Sequence, residues 1–366
     1  MVKVTGYDHL GRGIAKIKNK ICFIENAMID DDVEINIIND KKKYNECTIK
    51  SFNSKNSRRV ENLCPYYDKC GGCNILHLNY EDQLEFKQNK IKNIVKRYLK
   101  DIEIKINDIV KSDIQFNYRN KVTLHRRGRK IGYYNKRSND VVEIENCLLL
   151  DNLLNVNLKK VNDSLIMRTN GDEVLNNLTD SIICTIGNYK YNVSLRSFFQ
   201  INNNVTKKMY DKIEEYANLT KEDNLLDLYC GTGTIGIYLA KKANKVLGIE
   251  ILKDAINDAN KNKKINGIDN IEFICNDVSK AISNINYKLD VIVVDPPRSG
   301  LDNKTCEFLN NSDANKIIYV SCDPMTLVRD LNILKEKYNI KEITPFDMFP
   351  NTYHVENVCL LEKIAQ

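Results

Sequence analysis

The chain changes rhythm near residue 197. Beyond it, apolar runs at 224–229, 245–250, 271–275, 289–295, 316–321, 341–346 and 358–363 are separated mostly by stretches with helical spacing. Short apolar runs bounded by turns read as buried strands, and their alternation with helices predicts a doubly wound α/β sheet. The first 57 residues differ. Short alternating runs at 13–17, 21–24 and 33–38 are divided by polar turns at 30–32 and 39–43, a spacing that suits a small β-barrel. A polar linker at 53–59 follows. Asn79 is placed to cap a helix in which Leu84, Ile91, Ile94, Val95 and Tyr98 recur at helical spacing through about Leu99. Residues 114–195 read as short strands with a mixed helix. The expected domains are a barrel at 1–57, a small α+β central domain at 58–195 and the α/β domain at 196–366. The helical segment at about 79–112 is expected to pack on the last of these.

Composition adds a compartment and a partner. The 366 residues are 42% hydrophobic and 28% charged, and no apolar run is long enough to span a membrane. The first residues lack the charged-then-apolar pattern of a signal peptide. A cytoplasmic protein with no membrane and no obligate protein partner is expected. Its twelve cysteines are then reduced, metal-bound or catalytic. The net charge is only +6, but residues 119–137 hold eight Lys/Arg and no acid, with Tyr133 and Tyr134 among them. Residues 41–59 and 87–100 are also basic-rich. Such runs serve either as solvated faces or as nucleic-acid contacts.

The strand at 224–229 runs into Gly231, Gly233 and Gly236 and then a helix. Glycines let the backbone turn tightly and approach a ligand closely. Glu250 ends the next strand, where a carboxylate can accept both ribose hydroxyls. This much fits a dinucleotide or an S-adenosylmethionine fold. Three acids favour S-adenosylmethionine. Asp227 precedes the glycines, placed for a cationic amino-acid end. Asp277, after Asn276, closes the third strand, where it can read an adenine amino group. Asp295 with Pro296 and Pro297 closes the fourth.

Cys322 ends the next apolar run, followed by Asp323 and Pro324. Most free cysteines are small buried hydrophobes, but this one stands at the carboxyl edge of the sheet, where ligands bind. Enzymes that methylate exocyclic amines carry an aromatic residue after the two prolines. Here the residue is Arg298, and that reading leaves Cys322 idle. Methylation at carbon 5 of a pyrimidine uses it: a thiolate adds to carbon 6, making carbon 5 nucleophilic, and a base later removes the carbon 5 proton. Glu356 and His354 are rival bases, the histidine because its ordinary pKa lies nearer neutrality.

The cysteine trio Cys64, Cys70 and Cys73 has C-x5-C-x2-C spacing. Zinc sites usually show two close pairs, so iron–sulfur cluster and zinc both stay open.

These motifs together resemble the RNA uracil-5-methyltransferases: residues 197–202 with Phe198, Phe199 and Gln200, the glycine loop, Asp295 to Arg298, residues 319–324 around Cys322, and residues 354–357 around Glu356. The resemblance implies a Rossmann-like class I methyltransferase domain. Cys322 matches the nucleophile and Glu356 the base. Gln200, Tyr229, Gly231, Thr234, Glu250, Asp277 and Asp295 match the cofactor and uracil pocket. The resemblance also implies a 4Fe-4S cluster on Cys64, Cys70, Cys73 and Cys147, and a TRAM domain, an OB-like RNA-binding barrel, around residues 6–15. Family members with that barrel mostly modify 23S rRNA; the alternative is transfer RNA. Cys22, Cys184, Cys275, Cys306 and Cys359 read as core, Cys230 as packing near the cofactor.

Overall fold

The computed structural model describes residues 1–61, 63–158, 165–178 and 180–365. Six strands open the chain: β1 (Val2–Lys3), β2 (Gly6–Tyr7), β3 (Gly13–Ile17), β4 (Lys20–Glu25), β5 (Asp32–Asp40) and β6 (Tyr44–Ser54). After helix α1 (Tyr80–Tyr98) come β7 (Lys105–Ile106), β8 (Lys121–Thr123), β9 (His125–Arg127), β10 (Lys130–Tyr134) and β11 (Val141–Glu143). Helix α2 (Asn152–Asn157) leads to β12 (Ile166–Thr169), β13 (Val174–Leu175), β14 (Ser181–Ile186) and β15 (Tyr189–Ser194). Strand and helix then alternate: α3 (Asn203–Ala217), β16 (Asn224–Leu228), α4 (Thr234–Ala240), β17 (Lys245–Glu250), α5 (Lys253–Ile265), β18 (Ile271–Cys275), α6 (Val278–Ala281), β19 (Val291–Val294), α7 (Asn303–Asn311), β20 (Lys316–Ser321), α8 (Pro324–Leu334), β21 (Tyr338–Phe346) and β22 (Glu356–Lys363).

The chain forms two compact units. The first holds Met1–Lys90, Leu124–Leu148 and Phe349–His354. Its largest sheet has the order β1-β5-β6-β4-β3-β2. Register shifts between Asp32/Val33, Glu34/Ile35 and Ile37/Asn39 bend the long β5–β6 pair, as bulges do. The sheet curls into an OB-like barrel around Val4, Ala15, Cys22, Ile24, Ala27, Val33 and Cys47. Strand β6 was not legible in the sequence. Apart from Cys47, its buried positions include the polar Asn45, and its far end is a solvated face with little apolar signal. Beside the barrel, Met28, Ile75, Leu78 and Phe86 form a second small core. Gly11, at φ +79°, lies against it, and a Cβ there would meet Ile75 at 2.4 Å. Asn79 caps α1 as expected, its Oδ1 accepting from the N–H of Asp82 at 3.0 Å. The wholly buried Lys87 donates to the carbonyl of Phe349 at 2.9 Å, and Gln83 exchanges two hydrogen bonds with Asn351. These contacts tie the segment Phe349–His354 into the first unit.

The second unit holds Ile91–Thr123, Leu149–Met348 and Val355–Gln366. Its main sheet has the order β18-β17-β16-β19-β20-β22-β21-β7. From β18 to β20 all neighbours are parallel, whereas β22 runs antiparallel to both β20 and β21. The central strands carry little but apolar side chains, as strands covered on both faces must; all four residues of β19 are buried. Ile91, Ile94 and Val95 of α1, and Leu99 just after it, belong to the same core as Leu226, Ile292 and Ile317. One sequence expectation fails here. Cys275 is exposed rather than core, because β18 is the sheet's edge strand and leaves its last residue uncovered.

Candidate active site

In the second unit β16 delivers Asp227 and then a loop of left-handed residues: Tyr229 (φ 62°), Gly231 (φ 54°) and Gly233 (φ 78°). A left-handed tyrosine is strained, and such strain concentrates at ligand sites. The side of Gly231 where a Cβ would stand has no atom within 4 Å, an open cradle, whereas a Cβ at Gly233 would strike the Phe273 ring at 2.5 Å. Glu250 reaches this loop from β17. Its carboxylate accepts from the N–H of Gly231 at 3.2 Å and of Leu252 at 2.8 Å.

Asp227 is wholly buried. One carboxylate oxygen accepts from the N–H of Gly236 at 2.8 Å, and the other, Oδ1, has no partner. Burial pushes its pKa up to about 8, with further push from Asp295 and Glu250. An orphaned buried carboxylate oxygen beside an open glycine loop fits a bound cationic group. The Thr234 hydroxyl is engaged from behind by Tyr210 at 2.8 Å, while Tyr191 donates to the Thr234 carbonyl at 3.2 Å. Neither tyrosine stands out in the sequence, where an aromatic on a helix or strand reads as core.

Cys322 sits in the turn from β20 to α8. Asp323 caps that helix, accepting from the N–H groups of Met325 and Thr326, and Pro324 fills its first turn. That is why Asp and Pro follow the cysteine. Ser321 lies opposite Asn357 in the antiparallel β20–β22 pair, so the register carried one step further sets Cys322 against Glu356. Glu356 is buried, and burial pushes its pKa up to about 8, with Asp295 adding to the rise and Arg298 opposing it. Burial likewise pushes Cys322 up to about 12, followed by the fields of Glu356 and Asp295, against Arg298. Asp295 itself is raised to about 7 by burial. Cys322, Glu356, Asp295 and Arg298 therefore share one electrostatic site. The rival base His354 belongs to the first unit, where its ring lies 4.2 Å from that of Tyr353.

The remaining candidates enter through their own segments. Gln200 is buried, and its carbonyl accepts from Asn120 at 3.0 Å. That segment is held by Ser197, whose hydroxyl donates to the buried Asp258 at 2.9 Å. Of its two phenylalanines, Phe199 is core and Phe198 is 64% exposed. Asp277 follows β18 and accepts from the Ser279 hydroxyl. The Tyr229 hydroxyl lies 3.5 Å from that of Thr305.

Cys64, Cys70, Cys73 and Cys147 all lie in the first unit and are partly exposed by area. Among the described residues no three His, Cys, Asp or Glu side chains converge to hold a metal ion. Cys73 is raised first by burial and then by Cys147, Cys70 and Cys64, and Cys70 by burial and then by Cys147 and Cys64. The N–H of Gly72 donates to the Cys70 sulfur at 3.4 Å.

A Rossmann-like sheet with a glycine loop, a strand-end thiol and a buried carboxyl opposite it defines an RNA-modifying methyltransferase once its relatives are considered. The tRNA (uracil-5-)-methyltransferase family matches residues 133–364, and the TRAM domain matches residues 1–49. The chain is 33% identical to an uncharacterized RNA methyltransferase of Clostridium tetani, over 98% of this chain and 95% of that one. It is 34% identical to one of Staphylococcus aureus, over 98% and 96%. Among solved structures, the Pyrococcus abyssi tRNA (uracil-54, C5)-methyltransferase in complex with S-adenosyl-L-homocysteine superposes with a TM-score of 0.77 at 25% identity, covering 99% of this chain and 100% of that one. The protein belongs to the tRNA (uracil-5-)-methyltransferase family and is an enzyme. No helix among the described residues is long and apolar enough to cross a membrane.

Proposed function

We propose that the protein methylates carbon 5 of a uridine in RNA, most simply 23S rRNA, with Cys322 as nucleophile and Glu356 as base. The observation that carries the reading is the strand register that sets Cys322 against the buried Glu356 beside Asp295. The Cys322 thiolate adds to carbon 6, forming a carbon–sulfur bond and moving the ring electrons toward carbon 5 and the carbon 4 oxygen. Bound through Asp227, Glu250 and the loop at Gly231, with Gln200, Tyr229, Thr234, Asp277 and Asp295 around the pocket, S-adenosylmethionine would supply the electrophilic methyl group that carbon 5 takes. Glu356 then removes the carbon 5 proton, the carbon–sulfur bond breaks, and the thiolate is restored. A carboxylate with a pKa near 8 is a stronger base than an ordinary one, which suits that step. The exposed Phe198 is the better placed of the two phenylalanines to wedge into the stack the uridine leaves.

Cys64, Cys70, Cys73 and Cys147 would hold a 4Fe-4S cluster that positions RNA, since methyl transfer moves no net electrons. Four thiols of one unit, with Cys70 and Cys73 in the fields of the other two and a backbone N–H on the Cys70 sulfur, are a suitable donor set, and a cluster spaces its ligands more widely than a single ion does. In this reading residues 1–57, 58–195 and 196–366 are the RNA-binding, cluster and catalytic parts.

A second substrate reading is transfer RNA. The Pyrococcus abyssi protein, named for a tRNA uridine, matches the whole chain, the barrel included. Mass mapping of methyluridines in rRNA and tRNA from cells with and without the gene separates the two. Loss of a ribosomal 5-methyluridine supports the first reading, loss of a tRNA one the second, and loss of neither rejects both.

A further inference from the structure

In the first unit, one face of the small sheet β9–β10–β11 has the makings of a base-binding platform. The antiparallel register pairs Lys130 with Arg127 and Gly132 with His125. Side chains alternate along strands, so His125, Arg127, Lys130 and Tyr134 share a face. The rings of His125 and Tyr134 stack there, centroids 3.8 Å apart and planes 17° from parallel. Directly opposite His125 on β10 is Gly132, where a Cβ would strike the Val142 carbonyl oxygen at 1.9 Å, so no side chain can intrude. Tyr134 remains 45% exposed.

The same small sheet lines a cleft of about 530 Å3, to which Lys69, Arg127 and Lys130 contribute together with Asp140 and Glu143. Arg127 pairs with Asp140. Among the described residues Lys69 and Lys130 make no ion pair, so theirs are the charges available to an anion. At the hairpin turn Arg126 and Arg129 are exposed as well. An aromatic platform next to cations such as Lys69 and Lys130 is the pairing that single-stranded nucleic acid uses, bases on rings and phosphates on cations.

The cysteine loop is fastened to this platform. The N–H of Gly71 donates to the Tyr134 carbonyl at 2.9 Å, the N–H of Lys136 to the Lys69 carbonyl at 2.8 Å, and Cys70 bridges Asn135. Lys69 itself comes from that loop.

We propose that this face is a nucleotide subsite for a residue of the RNA other than the methylated uridine: a base stacks on Tyr134 and its phosphate lies between Lys69 and Lys130. The proposal rests on the RNA-methyltransferase reading. It gives the cysteine loop a task, since the loop fixes both Tyr134 and Lys69.

The test uses the full-length protein and stem-loop RNAs carrying 2-aminopurine at successive single-stranded positions. Wild type should quench one or two adjacent positions on binding. Tyr134→Ala should abolish that quenching and weaken binding roughly 5- to 150-fold, the range of one lost stack, with the salt dependence unchanged. Tyr134→Phe should keep both. Lys130→Glu should retain the quenching but reduce the slope of log affinity against log salt by about 1. Unchanged affinity and quenching in Tyr134→Ala would overturn the subsite while leaving the methyltransferase reading intact. Equal losses in Tyr134→Ala and Tyr134→Phe would also overturn it, by pointing to the hydroxyl. A wild-type protein that binds none of these RNAs and methylates no uridine would overturn both.

Discussion

Cys322 and Glu356 face each other because β22 runs against β20. Their strands are paired through Ser321 and Asn357, and the Asn357 side-chain amide donates to the Ser321 carbonyl at 3.3 Å. The end of one strand thereby meets the start of the other at the ligand-binding edge of the sheet. The carboxyl opens β22, and the thiol follows the last paired residue of β20 by one position.

If Cys322 attacks carbon 6, RNA containing 5-fluorouridine should form a denaturant-stable adduct, because fluorine blocks the final proton removal. Cys322→Ala should form none. The thiol is raised to about 12 in the absence of substrate, so iodoacetamide should label Cys322 slowly at neutral pH. An adduct in the alanine variant would move the nucleophile elsewhere.

Glu356→Gln should permit addition and methyl transfer but stall release, so the covalent enzyme–RNA complex accumulates on ordinary RNA. The base must be deprotonated to act. With a pKa of about 8, the rate of adduct resolution should rise with pH and level off above that value. Rapid-quench gels at pH values below and above about 8 check both points. Full turnover by the variant would reject Glu356.

Asp227→Asn should lose S-adenosylmethionine binding and gain stability. The folded protein raises this carboxyl from 3.8 to about 8, so it binds a proton that the unfolded chain releases. Stability from this group therefore falls as pH rises from about 4 to about 8. Asparagine escapes that loss, and the variant should be more stable by about 1–3 kcal/mol at pH 8. Denaturant melts at pH 5 and pH 8, with calorimetric titration of the cofactor, measure both effects. A variant less stable than wild type at pH 8 would contradict it.

Tyr210→Phe removes the hydroxyl behind Thr234 while keeping the ring. It should cost about 1 kcal/mol of stability and weaken S-adenosylmethionine binding several-fold, with RNA affinity unchanged. Equal weakening toward both ligands would point to general unfolding instead.

Anaerobically purified protein should be brown, with about four irons per chain. Serine at Cys64, Cys70, Cys73 or Cys147 should bleach it. A colourless protein holding one zinc would replace the cluster with a single-ion site.

Much of this was legible without coordinates, for a physical reason. Inner strands of a doubly wound sheet are buried on both faces and appear as apolar runs, so 245–250 and 316–321 match β17 and β20 residue for residue, and 271–275 matches the edge strand β18. The glycines and the thiol stand at the ends of such runs, so their place at one sheet edge also follows. Other features needed the tertiary structure. Strand direction leaves no mark on an apolar run, yet the antiparallel course of β22 sets Glu356 beside Cys322, while His354, two residues earlier, belongs to the first unit. Strand β6 hid because its solvated face is polar, and Cys275 looked like core because edge position is not a property of local sequence. Nor could spacing show that Tyr210 backs Thr234, or that His125 and Tyr134 stack. Periodicity records which residues leave water; which of them meet depends on strand order and register, and those arise only when distant segments pair.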